Sequence, residues 1–357
     1  MRIKYILSLF SIVIALFLVA CSNSEDNNAS GNDEANTNGG DNGESIEITA
    51  AHVVSTDATQ QDMYEKFQEL VEDKSDGRIT VEIYPDGQLG GEREMVESTQ
   101  AGDIQISSPS VGVLENFSDA LEVYDFPFIF EDRESVYNVM DGEIGKELLD
   151  DLEESGLKGL GYSENGWRHI TNNQGEIVKP EEVEGLKLRT MEVPMHMKFW
   201  EELGANPTPL EFTEVFTSLQ QGVVDGQENP LQLTYTSKFH EPARYITLTG
   251  HIFDPEIVIA NQEFMESLSD EDQDIINDSL DEAIEYLREL NADLDDELKE
   301  KLEEDGAEIR ELTDEEHEAW VEATLPFYEE YADEVDKEKL KKVLETAGNE
   351  KALEAIE

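Results

Sequence analysis

Two arginines and an asparagine each stand where an apolar-alternating run ends, in a chain with 85 Asp and Glu against 25 Lys and Arg. Arg189 closes the run GLKLRT, Arg168 lies in NGWRHITNN, and Asn229 lies in VVDGQENP. An arginine presents a planar fork of donors that meets a carboxylate in two places at once, and an Asn amide can donate to the same group. The chemistry offered is capture of an organic anion. The net charge of −60 sharpens the expectation, because a surface that repels anions must concentrate its cations locally to hold one. For any single arginine the competing reading is a surface ion pair with one of the many carboxylates. The same charge argues against nucleic acid as a partner, since phosphate would be repelled.

Bond-breaking chemistry finds little footing. The six histidines, His52, His169, His196, His240, His251 and His317, show no HExxH spacing, and no G-x-S-x-G elbow is present. Carboxylate pairs are everywhere in so acidic a chain and so carry no information about hydrolysis. With one cysteine there is no disulfide or thiolate–metal framework. The expectation is a protein without catalytic residues, metal or cofactor; turnover of a substrate panel would revive an exported hydrolase.

The elements that must position these residues alternate between strand and helix patterns. Residues 46–52 (IEITAAH) and 79–84 (ITVEIY) alternate like half-buried strands, with Met63, Phe67, Leu70 and Val71 at helical spacing between them. Residues 92–100 read as a helix and 104–107 as a strand. Residues 157–162, 186–189, 245–249 and 256–261 are further strand candidates, with helices near 194–203 and 213–221. Strands separated by helices predict an α/β fold with mostly parallel sheets, whose ligands bind at the carboxyl ends of the strands. From Ile275 to Leu302 a helical stripe runs on, as one long helix or two joined near Asn291; residues 315–331 and 337–347 add two more helices.

At the other end, Arg2 and Lys4 precede an apolar stretch too short to span a bilayer comfortably, laid out like a secretion signal over residues 1–20. LVAC, ending at Cys21, resembles the bacterial lipoprotein box, which implies a diacylglyceryl anchor on that sulfur, at the extracytoplasmic face of the cell membrane. Residues 22–45 are too polar to fold and read as a tether with a reach on the order of 27 Å.

GLKLRT, the long run LGANPTPLEFTEVFTSLQQGVVDGQENP and the earlier YPDGQLGGEREM resemble the DctP-type solute-binding proteins of tripartite ATP-independent periplasmic (TRAP) transporters, over residues 46–335. The resemblance implies a two-lobed, flytrap-like receptor with a long helix spanning both lobes, taken here as residues 46–166 plus 254–295 for lobe I and 167–253 plus 296–357 for lobe II. It implies a small organic acid as ligand, a C4-dicarboxylate or a sugar acid, delivered to a membrane permease. The carboxylate-binding arginine falls on Arg189, its supporting arginine on Arg168, the polar partner on Asn229 and the pocket aromatic on Phe212. The first lobe is expected to add His52, Glu92 and Ser108. Trp167 can stack on the ligand or pack in the core. A receptor of the same fold that signals to a membrane kinase is the alternative to transport.

Overall fold

The computed structural model describes residues 45–357. The expected signal segment, Cys21 and nearly all of the tether fall on residues 1–44, outside the described residues. Nine strands are present among the described residues: β1 (Ile46–Ala51), β2 (Ile79–Tyr84), β3 (Ile106–Ser107), β4 (Leu157–Asn172), β5 (Lys187–Thr190), β6 (Asn206–Pro209), β7 (Gly226–Asn229), β8 (Tyr245–Asn261) and β9 (Glu308–Glu311). They form one sheet in the order β2-β1-β3-β8-β4-β7-β5-β6, with β9 on β8.

Five pairings are parallel, namely β1 with β2 and β3, β5 with β6 and β7, and β8 with β9. Three are antiparallel, and all three involve β4 or β8. The expectation of mostly parallel pairing is met at the two wings, while the spine is an antiparallel ribbon of 16 and 17 residues. Sequence reading ended β4 at Tyr162 and cut β8 in two, and the ribbon contains Gly159, Gly161, Gly166 and Pro255, all poor strand formers. The ribbon absorbs them as register shifts at Gly159/Gly161, Glu164/Gly166 and Arg168/Ile170, and Pro255 lies opposite Glu164 at the second shift. A proline lacks the ladder N–H, so a bulge is where it is tolerated.

The helix Thr59–Lys74 lays Met63, Tyr64, Phe67 and Val71 on β1 and β2 and against Ile284 and Leu287 of the helix Asp270–Asn291. Met63, Phe67 and Val71 recur every four residues, which keeps them on one face of the helix. The long apolar stripe is two helices, Asp270–Asn291 and Leu294–Glu304, that meet at Ala292 and Asp293. The first packs on the Thr59–Lys74 helix and β4, the second on the helix Leu231–Thr236 and β9. This helix pair therefore reaches from the helix that covers β1 and β2 to β9 at the edge of β8.

Phe67 is fully buried at the centre of the first core. Phe67→Ala is expected to cost about 3–5 kcal/mol in urea unfolding, because transfer and cavity terms add.

Candidate functional site

The order β4-β7-β5 sets Arg168, Glu228 with Asn229, and Arg189 on three adjoining strands, with His169 opposite Asn229 and Arg189 opposite Gln227. The two arginines are 1 % and 2 % exposed, yet their surroundings differ. Arg168 is saturated. Its Nε donates to Glu228 Oε2 at 2.6 Å, Nη2 to Glu228 Oε1 at 2.7 Å and to the Glu228 carbonyl, and Nη1 to Asp254 Oδ2 at 2.6 Å. Burial opposes its charge, but Glu228 and Asp254 outweigh burial and hold its pKa above the usual arginine value. Burial also opposes the charge on Glu228, and there the Arg168 guanidinium wins, holding the carboxyl well below its ordinary range. Glu228 further accepts from His251 Nε2 at 3.1 Å, an imidazole that burial keeps neutral.

Arg189 has no carboxylate in contact. Its Nε and Nη2 both donate to the Leu210 carbonyl, at 2.9 and 2.6 Å, and Nη1 is buried with no hydrogen-bond partner among the described residues. Burial and the neighbouring Arg168 push its pKa down to about 10. Beside it lies a nearly filled cavity of about 10 Å³ bounded by Arg168, Arg189, Met191, Phe212, Asn229, Glu92, Ser110, Asp254 and Glu256, among others. A second hollow of about 20 Å³ is lined by Glu92, Arg189, Met191 and Phe212 together with Asn116, Glu192 and Glu211. The walls of the cleft touch: a Cβ placed on Gly91 would fall 1.4 Å from Glu211 Oε2.

The cavity wall also carries acids. Glu92 Oε1 accepts from the Ser110 N–H at 2.9 Å, and burial pushes its carboxyl up to about 7. Glu256 is pushed well above the carboxylate range by burial and then by Asp254 and Glu92, while Gln60 Nε2 at 2.6 Å and Ser163 Oγ at 3.1 Å donate to it. Asp254 accepts from Arg168, from Ser110 Oγ and, at 3.3 Å, from Asn165 Nδ2.

Of the residues singled out in the sequence, Arg189, Arg168, Asn229, Phe212 and Glu92 line this cavity. His52, Ser108 and Trp167 do not. The His52 ring is buried behind the wall, stacked on Tyr64 with centroids 5.3 Å apart, and its Nε2 lies 2.8 Å from Gln61 Oε1. Ser108 Oγ is taken by Gln60 Nε2 at 3.0 Å and Tyr64 OH at 2.8 Å, so it acts on the cavity only through Gln60 and Glu256. Successive strand residues face opposite sides of a sheet, and Trp167 accordingly turns away from Arg168. It packs edge-on to Phe253 at 5.1 Å and lines a separate hollow with Phe128, Phe130 and His317. Sequence reading missed Glu228, Asp254, Glu256 and Ser110. The signal was present in HIFDPEIVIA, where two acids interrupt an otherwise apolar strand, a pattern that demands buried partners.

The contrast between the arginines has a measurable consequence. Arg168→Ala strands Glu228 and Asp254 in the interior and is expected to cost about 3–5 kcal/mol of stability in denaturant unfolding. Arg189→Ala removes a buried cation with no carboxylate partner and is expected to unfold at the wild-type denaturant concentration or above it. The raised carboxyl of Glu92 gives a pH signature. A raised acid favours the folded state while protonated, so its contribution is whole below pH 4.5 and is lost as pH rises through about 7. Thermal unfolding of the unliganded protein between pH 5 and 8 is expected to show a smaller loss of stability with rising pH in Glu92→Gln than in the wild type.

The model of the bacterial extracellular solute-binding proteins, family 7 (DctP), matches residues 50–334. The C4-dicarboxylate-binding protein DctB of Bacillus subtilis is 32 % identical over 296 residues, 83 % of this chain and 85 % of that one. The crystal structure of a sugar acid binding protein from Advenella mimigardefordensis in complex with galactonate superimposes with a TM-score of 0.83 at 32 % identity, covering 85 % of this chain and 98 % of that one. A TRAP periplasmic solute binding protein from Shewanella oneidensis with bound succinate gives a TM-score of 0.81 at 32 % identity, covering 88 % and 100 %. Nothing in these comparisons supports a signalling receptor. A saturated arginine, a second arginine with a bare nitrogen, and a cleft between two wings of one sheet are found in a chain that belongs to the DctP family, the extracytoplasmic solute receptors of TRAP transporters.

Proposed function

We propose that this receptor takes a small organic acid whose carboxylate docks on Arg189, and that it passes the acid unchanged to the membrane permease. The observation that carries the reading is Nη1 of Arg189, a charged donor that is buried, without a partner, at the wall of a cavity. An unsatisfied buried charge is costly, and a carboxylate supplies both the counter-charge and the missing acceptor. Arg168 supports the site by position and field, its own donors being committed to Glu228 and Asp254. Asn229 and Phe212 supply an amide and an apolar face. His52, Ser108 and Trp167 have no contact role in this reading.

Both a C4-dicarboxylate and a sugar acid fit a single guanidinium anchor. The acids of the cavity favour the hydroxylated class: Glu92 and Asp254 accept from hydroxyl groups, whereas a second ligand carboxylate finds no uncommitted cation beside them, Arg168 being held by Glu228 and Asp254. In the same proposal residues 46–166 plus 254–295 move against 167–253 plus 296–357, with β4 and β8 crossing between them. The Cys21 sulfur carries the lipid that holds the protein at the outer face of the membrane. No helix among the described residues is long and apolar enough to cross a bilayer.

A thermal-shift screen of organic acids identifies the ligand, because a solute that binds only the folded form raises its unfolding temperature. Titration calorimetry then tests the anchor. Arg189→Ala is expected to lose about 2–5 kcal/mol of binding free energy, and Arg189→Lys to recover little of it, since an ammonium does not reproduce the fork. Near-normal affinity in Arg189→Ala refutes the assignment.

A further inference from the structure

At the joint between the helices Asp270–Asn291 and Leu294–Glu304, a chain of side chains ties the start of the helix Thr59–Lys74 to the helix Leu231–Thr236, beside a small apolar cluster that Ala58 and Leu233 share. Gln232 Nε2 donates to Thr59 Oγ1 at 2.8 Å, and Thr59 Oγ1 donates onward to Asn291 Oδ1 at 2.8 Å. Asn291 Nδ2 donates to Glu164 Oε1 at 3.2 Å, and its carbonyl accepts from Arg133 Nη2 at 3.3 Å. Arg133 Nη1 and Tyr137 OH, the latter at 2.9 Å, complete Glu164. Gln232, Asn291 and Glu164 are buried, while Thr59 is half-buried at the edge of a groove.

The position of the Thr59–Gln232 bond decides what it does. Thr59 opens the helix Thr59–Lys74, whose apolar face belongs to the core of β1, β2 and the Asp270–Asn291 helix. Gln232 sits on the helix Leu231–Thr236, whose Leu231 packs with Leu298, Leu302 and Ile246 in a different core. Both residues line a groove of about 590 Å³ together with Leu294, Leu298 and Lys301. Neither Thr59, Gln232 nor Asn291 lines the cavity beside Arg189, but Leu233, the next residue after Gln232, does. A parting of the helix Leu231–Thr236 from the start of the helix Thr59–Lys74 would break the Thr59–Gln232 bond and leave Thr59–Asn291–Glu164 intact.

We propose that Thr59, Gln232 and Asn291 form a latch that holds the cleft shut and sets how long the bound acid stays, without touching it. The inference rests on the receptor reading above. Encounter takes place with the cleft open and release requires it to open, so a latch made only in the shut form acts on dissociation and leaves association alone. One neutral hydrogen bond amounts to a factor of about five to ten in such an equilibrium.

The experiment measures association and dissociation rates of galactonate and of succinate by stopped-flow fluorescence on the full chain. Thr59→Val and Gln232→Leu are expected to release the bound probe about five to ten times faster with unchanged association. Thr59→Ser is expected to release it at the wild-type rate, and the double variant no faster than either single one. Wild-type dissociation in Thr59→Val, or equal changes in both rates, overturns the latch. Arg189→Ala judges the anion site separately, because its effect is loss of binding. If neither probe binds the wild type, that reading of the ligand fails, and hydrogen exchange of the unliganded protein still tests the latch. The amides of residues 231–236 are expected to exchange faster in Thr59→Val than in Thr59→Ser; equal exchange overturns the proposal.

Discussion

Arg168 and Arg189 are brought within reach of one another by the pairing of β4, β7 and β5, and two cations buried side by side repel strongly where water is excluded. The sequence resolves this by an unequal division of partners. Glu228, on the strand between them, and Asp254, on β8, both attach to Arg168. Arg189 receives only a backbone carbonyl. Had the acids been shared evenly, both guanidinium groups would be satisfied and neither would have any use for a solute. Concentrating the counter-charge on one arginine leaves the other fixed in place by Leu210 and short of an acceptor. The affinity of the cleft for an anion follows from that asymmetry.

The exterior charge of −60 bears less on this site than its size implies. Fields between exposed charges fade within about 8–10 Å at physiological salt, whereas the Arg189 site is screened from solvent and acts at short range. The acids inside the cleft are also less negative than a count of side chains suggests. Burial raises Glu256 well out of the carboxylate range and brings Glu92 to about 7, so desolvation itself removes charge that would otherwise oppose an incoming acid. Glu228 keeps its charge because Arg168 overrides the same desolvation. One physical effect, burial, thus produces proton-bearing carboxyls on one wall and a persistent ion pair on the other.

The fold was legible where local pattern and tertiary role agree. The β1–helix–β2 unit was readable from alternation and helical spacing, and the strand ends at Arg189 and Asn229 placed those side chains together. The spine was legible only in pieces: residues 157–162, 245–249 and 256–261 read as strands, but Gly166 and Pro255 are poor strand formers in isolation and sit at a bulge of the β4–β8 ribbon, which runs on through them. The site shows the same division. Arg189, Arg168, Asn229, Phe212 and Glu92 were found from motifs, whereas Ser110 was missed in favour of Ser108, two residues away on the same approach. Which of two nearby serines meets the cavity depends on whether Gln60 and Tyr64 claim the hydroxyl, and that is a long-range contact. Trp167 misled for a simpler reason: its neighbour Arg168 faces the cleft, and strand alternation turns Trp167 the other way.

The acids Glu92, Asp254 and Glu256 and the arginine Arg189 bound the same cavity, and the segments that carry Glu92 and Arg189 share one apolar cluster through Val96 and Leu188, while Met95 packs in a small cluster beside Leu233. An anion on Arg189 alone gains an ion pair still open to water, which contributes little. In the proposed function the pair strengthens with the cleft shut, where Glu211 lies against Gly91 and the wall carrying Glu92 and Ser110 excludes solvent. A ligand that satisfies Arg189 but offers nothing to the acids does not compensate for bringing that wall in, and a neutral polyol has no anchor. Selectivity in such a cleft comes from requiring both halves at once: a carboxylate for the bare guanidinium, and hydrogen-bonding groups for the acids that arrive with closure.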